Sequence, residues 1–105
     1  MAVEGVRWTL THSRPVAHLW GEIDLSNAEA LFSTVTSNGD GVIVDLTGVV
    51  FLDSVGICQI VALAKRSNVR LVSPPGGQPR RVIKLTDIEG AIPTFDTVEA
   101  ALADG

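Results

Sequence analysis

The stretch from Gly41 to Lys65, GVIVDLTGVVFLDSVGICQIVALAK, holds both the most apolar run of the chain and its most pointed chemistry. Val42 to Leu46 is rich in β-branched residues and lacks period-two alternation, which is the pattern of a strand buried on both faces of a parallel sheet. Thr47 and Gly48 read as a turn, and a second apolar patch, Val49 to Leu52, leads to an Asp-Ser pair. Beyond that pair, Val55, Ile57, Ile60, Val61 and Ala64 are spaced to lay one apolar stripe along a helix. Asp53 and Ser54 therefore stand where a helix begins. The first amides of a helix lack internal partners and carry partial positive charge, so anions are favoured there. Either Asp53 or Ser54 can serve as the N-cap, since Asp and Ser are among the residues helices start with.

The same stretch is not a membrane span, because Asp45 and Asp53 would each cost about 2.5 to 3.5 kcal/mol near a bilayer centre. At 105 residues the chain is long enough for one hydrophobic core but not two, so residues 1–105 are expected to form a single domain. The start, MAVEGVRWTL, lacks the basic opening and long apolar run of a secretory signal, which leads to an expectation of a cytoplasmic location. The lone Cys58 excludes an internal disulfide and a cysteine-based zinc cluster, and its place inside the helix after Ser54 suggests burial as a small hydrophobe. No metal or cofactor is expected.

A net charge of -4 argues against a nucleic-acid binder held by phosphate contacts. The charge is unevenly spread, however. No acidic residue lies between Ser54 and Thr86, whereas Lys65, Arg66, Arg70, Arg80, Arg81 and Lys84 all do. Two-signed surfaces of this kind suit protein partners.

Before the opening stretch, Arg7 to Thr11 and Val16 to Ile23 are strand-like, with a turn at Ser13-Arg14-Pro15, and should pair as an antiparallel hairpin. Ser26 with Glu29 three residues on reads as a capping box for a helix whose buried stripe is Ala28, Leu31, Phe32 and Val35, ended by Asn38-Gly39. After the opening stretch come a strand at Val69 to Val72 and a loop, Ser73-Pro74-Pro75-Gly76-Gly77. Neither GxGxxG nor GxxxxGK[ST] is present, so the loop carries no phosphate fingerprint. Pro79 fits the first turn of a third helix, with Val82, Ile83 and Leu85 inward and Arg80, Arg81 and Lys84 in water. The region of that helix should end at Gly90. Ile92 to Phe95 is a strand that Pro93 confines to an edge or shortens. Asp96 or Thr97 can cap a last helix with Val98, Ala101 and Leu102 inward. Strand and helix signals thus alternate after the hairpin, which predicts an α/β fold of about five strands and four helices, with mostly parallel strands in one mixed sheet and right-handed crossovers.

Two segments carry a resemblance to a known family. GEID at Gly21 to Asp24, leading into a helix, and DLTGVVFLDSVG at Asp45 to Gly56 resemble the STAS domains of anti-sigma factor antagonists, and PRRVIKLTDIEGAIPTFDTVEAAL is similar to that family's third helix, last strand and last helix. The resemblance covers nearly the whole chain. It implies a STAS-like single domain without enzymatic activity, which binds an anti-sigma factor serine kinase, releases a sigma factor, and is switched off by phosphorylation at Ser54. A phosphatase acting on phospho-Ser54 would reset such a switch, and neither nucleic acid nor membrane is an implied partner. GEID and DSVG should meet at the carboxyl edge of the sheet, where Glu22, Asp24, Asp53, Val55 and Gly56 join Ser54 in one partner-binding patch. Two departures bear on partner choice: Val55 stands where the family motif has a second small hydroxyl residue, and Cys58-Gln59 replaces small aliphatic residues. They keep open a STAS module that does not cycle by phosphorylation and acts as a scaffold or small-ligand sensor.

Two other classes are weaker matches. A phosphoreceiver domain would use Asp45 at a strand end, but the acidic pair it needs near the first strand is replaced by Trp8, Thr9 and Leu10. A serine hydrolase would need a base for Ser54, yet His12 and His18 both fall in the early hairpin and no GxSxG elbow is present.

Overall fold

The computed structural model describes residues 4–11, 14–35 and 41–103. Five strands form one sheet in the order of the chain: β1 (Gly5–Thr11), β2 (Arg14–Ile23), β3 (Val42–Leu52), β4 (Val69–Val72) and β5 (Thr94–Phe95). β1 and β2 pair antiparallel, and every later neighbour pairs parallel. The expected mixed sheet behind an N-terminal hairpin is therefore present. Four helices accompany it: α1 (Ala28–Ser33), α2 (Ser54–Arg66), α3 (Gln78–Leu85) and α4 (Val98–Ala103), with a 3-10 turn at Ile88–Gly90.

The sheet separates two apolar layers. On one face Leu19, Ile23, Val44, Leu46 and Leu52 pack against Phe32 of α1, Ile57, Ile60 and Leu63 of α2, and Ile83 of α3. On the other face, α4 brings Ala101, with Val98 and Leu102 beside it, onto Val16, Ile43 and Val72. Because α4 is short, it covers only part of that second face. Residues 42–46 are buried throughout, as expected of a central strand covered on both sides.

Several local expectations are corrected. Thr47 and Gly48 do not turn the chain: β3 runs through them, and Gly48 pairs with Trp20. The glycine answers a different demand, since a methyl at Gly48 would stand 2.9 Å from the Cβ of Trp20, so it lets two strands approach where their register shifts between His18 and Trp20. The capping box at Ser26 does not form. The hydroxyl and N–H of Ser26 both donate to Asp24 Oδ1, at 2.5 and 2.9 Å, and α1 begins later, after Asn27. The helix has ended by Thr34, and Asn38-Gly39 lies outside the described residues, as does Ser13 of the expected turn. Arg14 and Pro15 already belong to β2.

In α3, Ile83 is buried as expected, but Leu85 is 79% exposed, because it falls on the helix flank away from the sheet. Arg80 is not in water. Its guanidinium donates to Glu89 at 2.9 Å, to Asp96 at 2.9 Å and to the carbonyl of Ser73, tying the loop after β4 to the segment before α4. Burial opposes its charge, yet the bonds to Glu89 and Asp96 outweigh that effect and hold its pKa above the ordinary arginine value. Cys58 is exposed, because it faces outward between the buried Ile57 and Ile60 positions. At the far edge the strand predicted from Ile92 is shortened to Thr94–Phe95, with the carbonyl of Pro93 accepting from Leu71 N–H. Thr97 caps α4 by accepting from Ala100 N–H at 3.1 Å.

Candidate functional site

The ends of β2 and β3 and the start of α2 converge on one corner of the sheet. Ile23 pairs with Leu52, and the next residue, Asp53, donates its N–H to the carbonyl of Ile23 at 3.1 Å. The Asp53 carboxylate then links three segments. Its Oδ1 accepts from Val55 N–H at 3.0 Å and Gly56 N–H at 3.1 Å, which makes Asp53 the N-cap of α2 and leaves Ser54 as the first helical residue. Its Oδ2 accepts from Leu25 N–H at 3.1 Å, across the gap to the turn after β2.

On the β2 side, that turn holds itself together. Asn27 accepts from Asp24 N–H at 3.0 Å and donates to the carbonyl of Glu22 at 2.8 Å, while Asp24 accepts both groups of Ser26. The hydroxyl and then the N–H of Ser26 hold the Asp24 carboxyl below the ordinary aspartate range, so it stays ionised at neutral pH. Glu22 is exposed, in register with Phe51.

The structure thus brings GEID and DSVG together, with Glu22, Asp24, Asp53 and Ser54 at one corner. Ser54 is exposed, and its hydroxyl makes no hydrogen bond to the described residues. Val55 is half-buried against the core and Gly56 is buried, so these two shape the corner from beneath. A methyl at Gly56 would run into Leu52 Cδ1, with Ile23 Cγ2 at 3.3 Å, and the glycine is what lets the helix start rest on the two strand ends.

Sequence reading missed three contributors. Leu25, 77% exposed, and Phe51, 39% exposed, add apolar surface beside the carboxylates. Gln78, the first residue of α3, braces the end of β3: its side chain accepts from Leu52 N–H at 2.8 Å and donates to the carbonyl of Leu52 at 2.9 Å. Exposed leucines near an acidic turn are a usable signal. No local pattern marks Gln78, whose partner lies in β3, well before it in the chain. Among the described residues, no cluster of histidine, cysteine or acidic side chains could hold a metal ion, and no helix is long and apolar enough to cross a membrane.

This architecture is a mixed-sheet α/β domain that presents a serine at a capped helix start. The chain belongs to the STAS domain family, which matches residues 8–101. Among solved structures it is similar to an anti-sigma factor antagonist from Mycobacterium paratuberculosis, with 27% identity over 94% of this chain and 91% of the other and a TM-score of 0.85. It also shares its fold with a protein of Thermotoga maritima whose assignment as an anti-sigma factor antagonist is provisional, at 22% identity, a TM-score of 0.71 and coverage of 92% and 91%. An antisigma-factor antagonist STAS domain from Rhodobacter sphaeroides aligns more partially, at 16% identity over 67% of this chain and 84% of that one, with a TM-score of 0.55. No curated protein matches the chain.

Proposed function

We propose that this STAS domain is a bacterial anti-sigma factor antagonist that regulates transcription by partner switching in the cytoplasm. In its unmodified form it binds an anti-sigma factor serine kinase and releases a sigma factor, and phosphorylation at Ser54 switches it off. The chain is a substrate and binding partner in this scheme and not an enzyme. The observation that carries the reading is an exposed Ser54 hydroxyl on the first residue of α2, without a hydrogen-bond partner among the described residues and flanked by the Asp53 cap. The name of the mycobacterial relative supports it.

The geometry suits such a switch. A phosphoserine adds about 1.5 to 2 negative charges at neutral pH, and a helix N-terminus tolerates an anion, so the fold survives modification. The interface does not, because a partner that had covered a neutral hydroxyl must now desolvate a dianion next to Asp53. Incubation with a candidate anti-sigma kinase, magnesium and ATP, followed by intact mass and site mapping, should show one added phosphate on Ser54 that Ser54→Ala removes. Phosphate on Ser26, Ser67 or Thr86 would overturn the assignment.

Within the same reading, Glu22, Asp24 and Asp53 form the acidic part of the partner-binding patch, with Val55 and Gly56 supporting it and Leu25 and Phe51 adding apolar contact. Asp24→Asn should weaken kinase binding or slow modification of Ser54. The exchange keeps the acceptor oxygen for Ser26, so the melting temperature should move little. A variant that loses stability by about 1 kcal/mol while its folded fraction binds normally would assign Asp24 to the turn alone.

A further inference from the structure

The two outer strands of the sheet are protected unequally. Among the described residues, β1 pairs with β2 alone, and its other side faces outward. The opposite outer strand, β5, has two residues and follows Pro93, and shortness and proline both blunt a sheet edge. β1 instead runs for seven residues in unbroken register with β2, and Arg7 is its only charge. It is also held in place. The Thr9 hydroxyl lies 2.8 Å from His18 Nε2, and His18 Nδ1 lies 2.6 Å from Asp45 Oδ2, so one imidazole links β1, β2 and β3.

Pro15 fixes which backbone groups of β1 face outward. Opposed residues of an antiparallel pair alternate between pairs that exchange two hydrogen bonds and pairs that exchange none. Pro15 has no N–H, so its pair with Leu10 is of the second kind, and by alternation so are Trp8–Ala17 and Val6–Leu19. The N–H and C=O of Val6, Trp8 and Leu10 therefore point away from β2. Their side chains share one face of the strand. Val6 packs against the core on that face, whereas Trp8 and Leu10 are 39% and 70% exposed.

We propose that β1 pairs with β1 of a second copy of this chain, antiparallel about a two-fold axis at Trp8, so that the two sheets become one. The pattern of outward groups selects this register. Centred on Trp8, all seven residues find a partner: Val6 stands opposite Leu10 of the second copy, Trp8 opposite Trp8, and each outward position exchanges two backbone bonds. A slip of one residue would set outward groups against groups already bonded to β2. Moving the axis to Arg7 would bring two guanidiniums face to face, and moving it to Thr9 would leave Gly5 and Val6 unpaired. With the axis at Trp8, Arg7 meets Thr9 of the second copy and no like charges oppose each other. The paired tryptophans, flanked by Leu10 and Val6, carry the apolar layer of the core across the junction. Because the contact is two-fold symmetric, it closes at two copies. A strip about 23 Å long and one strand deep buries less than about 1,000 Å² in total, the range of weak, reversible complexes, so half-dimerisation is expected on the order of 10 to 100 μM. This inference does not depend on phosphorylation of Ser54.

Sedimentation velocity of the intact chain from about 5 to about 500 μM tests it, a range that brackets the expected weak affinity. The parent chain should pass from monomer to dimer and no further. Trp8→Lys and Trp8→Glu each place like charges on the axis and should weaken the dimer at least about tenfold. An equimolar mixture of these two variants should associate at least about threefold more tightly than either alone, because opposite charges then meet. Leu10→Lys changes a side chain that already lies largely in water, and it should weaken the dimer about threefold or more while the melting temperature of the dilute monomer stays unchanged. If the Trp8 variants do not fold, Leu10→Lys and the concentration series of the parent still decide. A parent that stays monomeric at the highest concentration, assembly beyond two copies, a dimer indifferent to Trp8→Lys or Leu10→Lys, or a mixture no tighter than its components overturns the proposal.

Discussion

Ser54→Glu and Ser54→Asp are expected to bind the anti-sigma partner about tenfold or more weakly than the parent chain, whereas Ser54→Ala should bind within about threefold of it. Every 1.4 kcal/mol is about tenfold in affinity, so one misplaced, desolvated charge is enough to dissociate a regulatory complex. The setting amplifies the effect. A carboxylate at position 54 would join Asp53, the firmly ionised Asp24 and the exposed Glu22 at one corner of the sheet. It would also place no strain on the fold, because the Ser54 hydroxyl has no hydrogen bond to lose among the described residues. The difference between the acidic and alanine variants should shrink as salt is raised, since exposed charges are screened over about 10 Å at 0.1 M ionic strength. Calorimetry of all three variants at two salt concentrations checks this, and equal affinities would remove the electrostatic basis of the switch.

The second large effect is one of packing. Gly56→Ala gains up to about 1 kcal/mol of helix propensity, which alone would stabilise α2. The added methyl, however, meets Leu52 Cδ1 and closes on Ile23 Cγ2, and both side chains are fully buried and cannot swing into solvent. Overpacking of this kind costs about 1 to 3 kcal/mol, so the net change should be destabilising. For a domain of this size the melting temperature should fall by at least about 4 °C per kcal/mol lost. The start of α2 must also lift off the strand ends, so modification of Ser54 should slow more than the loss of folded protein explains. An unchanged or higher melting temperature would falsify the tight seating of the helix.

The elements that were legible in the sequence are those whose cause is local. Residues 42–46 read as a central strand because nothing polar but Asp45 interrupts them, and Val69 to Val72 was bounded by the turn residues that follow it. Asp53 was recognisable as a cap because its partners, Val55 and Gly56, lie within one helical turn. Elsewhere the cause is distant. Thr47-Gly48 has the same letters whether the chain turns or a strand presses against Trp20, and only β2 decides between them. Ser26 followed by Glu29 has the letters of a cap, yet Asp24 competes for the same hydroxyl and amide and wins. Arg80 looked like a solvated helix residue because Glu89 and Asp96 reach it only through the fold. The His18–Asp45 contact joins residues far apart in the chain, and no spacing rule could pair them.

The clasp between Gln78 and Leu52 has a consequence for assembly. β3 pairs with β4 only as far as Asp45, so residues 46–52 would offer on that flank a row of bare amides and carbonyls on which a foreign strand could grow. The Gln78 amide imitates such a strand for one residue, satisfying both backbone groups of Leu52, and α3 lies along the same flank. The corner that carries Ser54 is thereby closed to ladder extension. A visiting protein must read it through side chains and helix geometry, and that confines recognition to surfaces shaped for this corner and protects it against sticky, sequence-blind edge pairing.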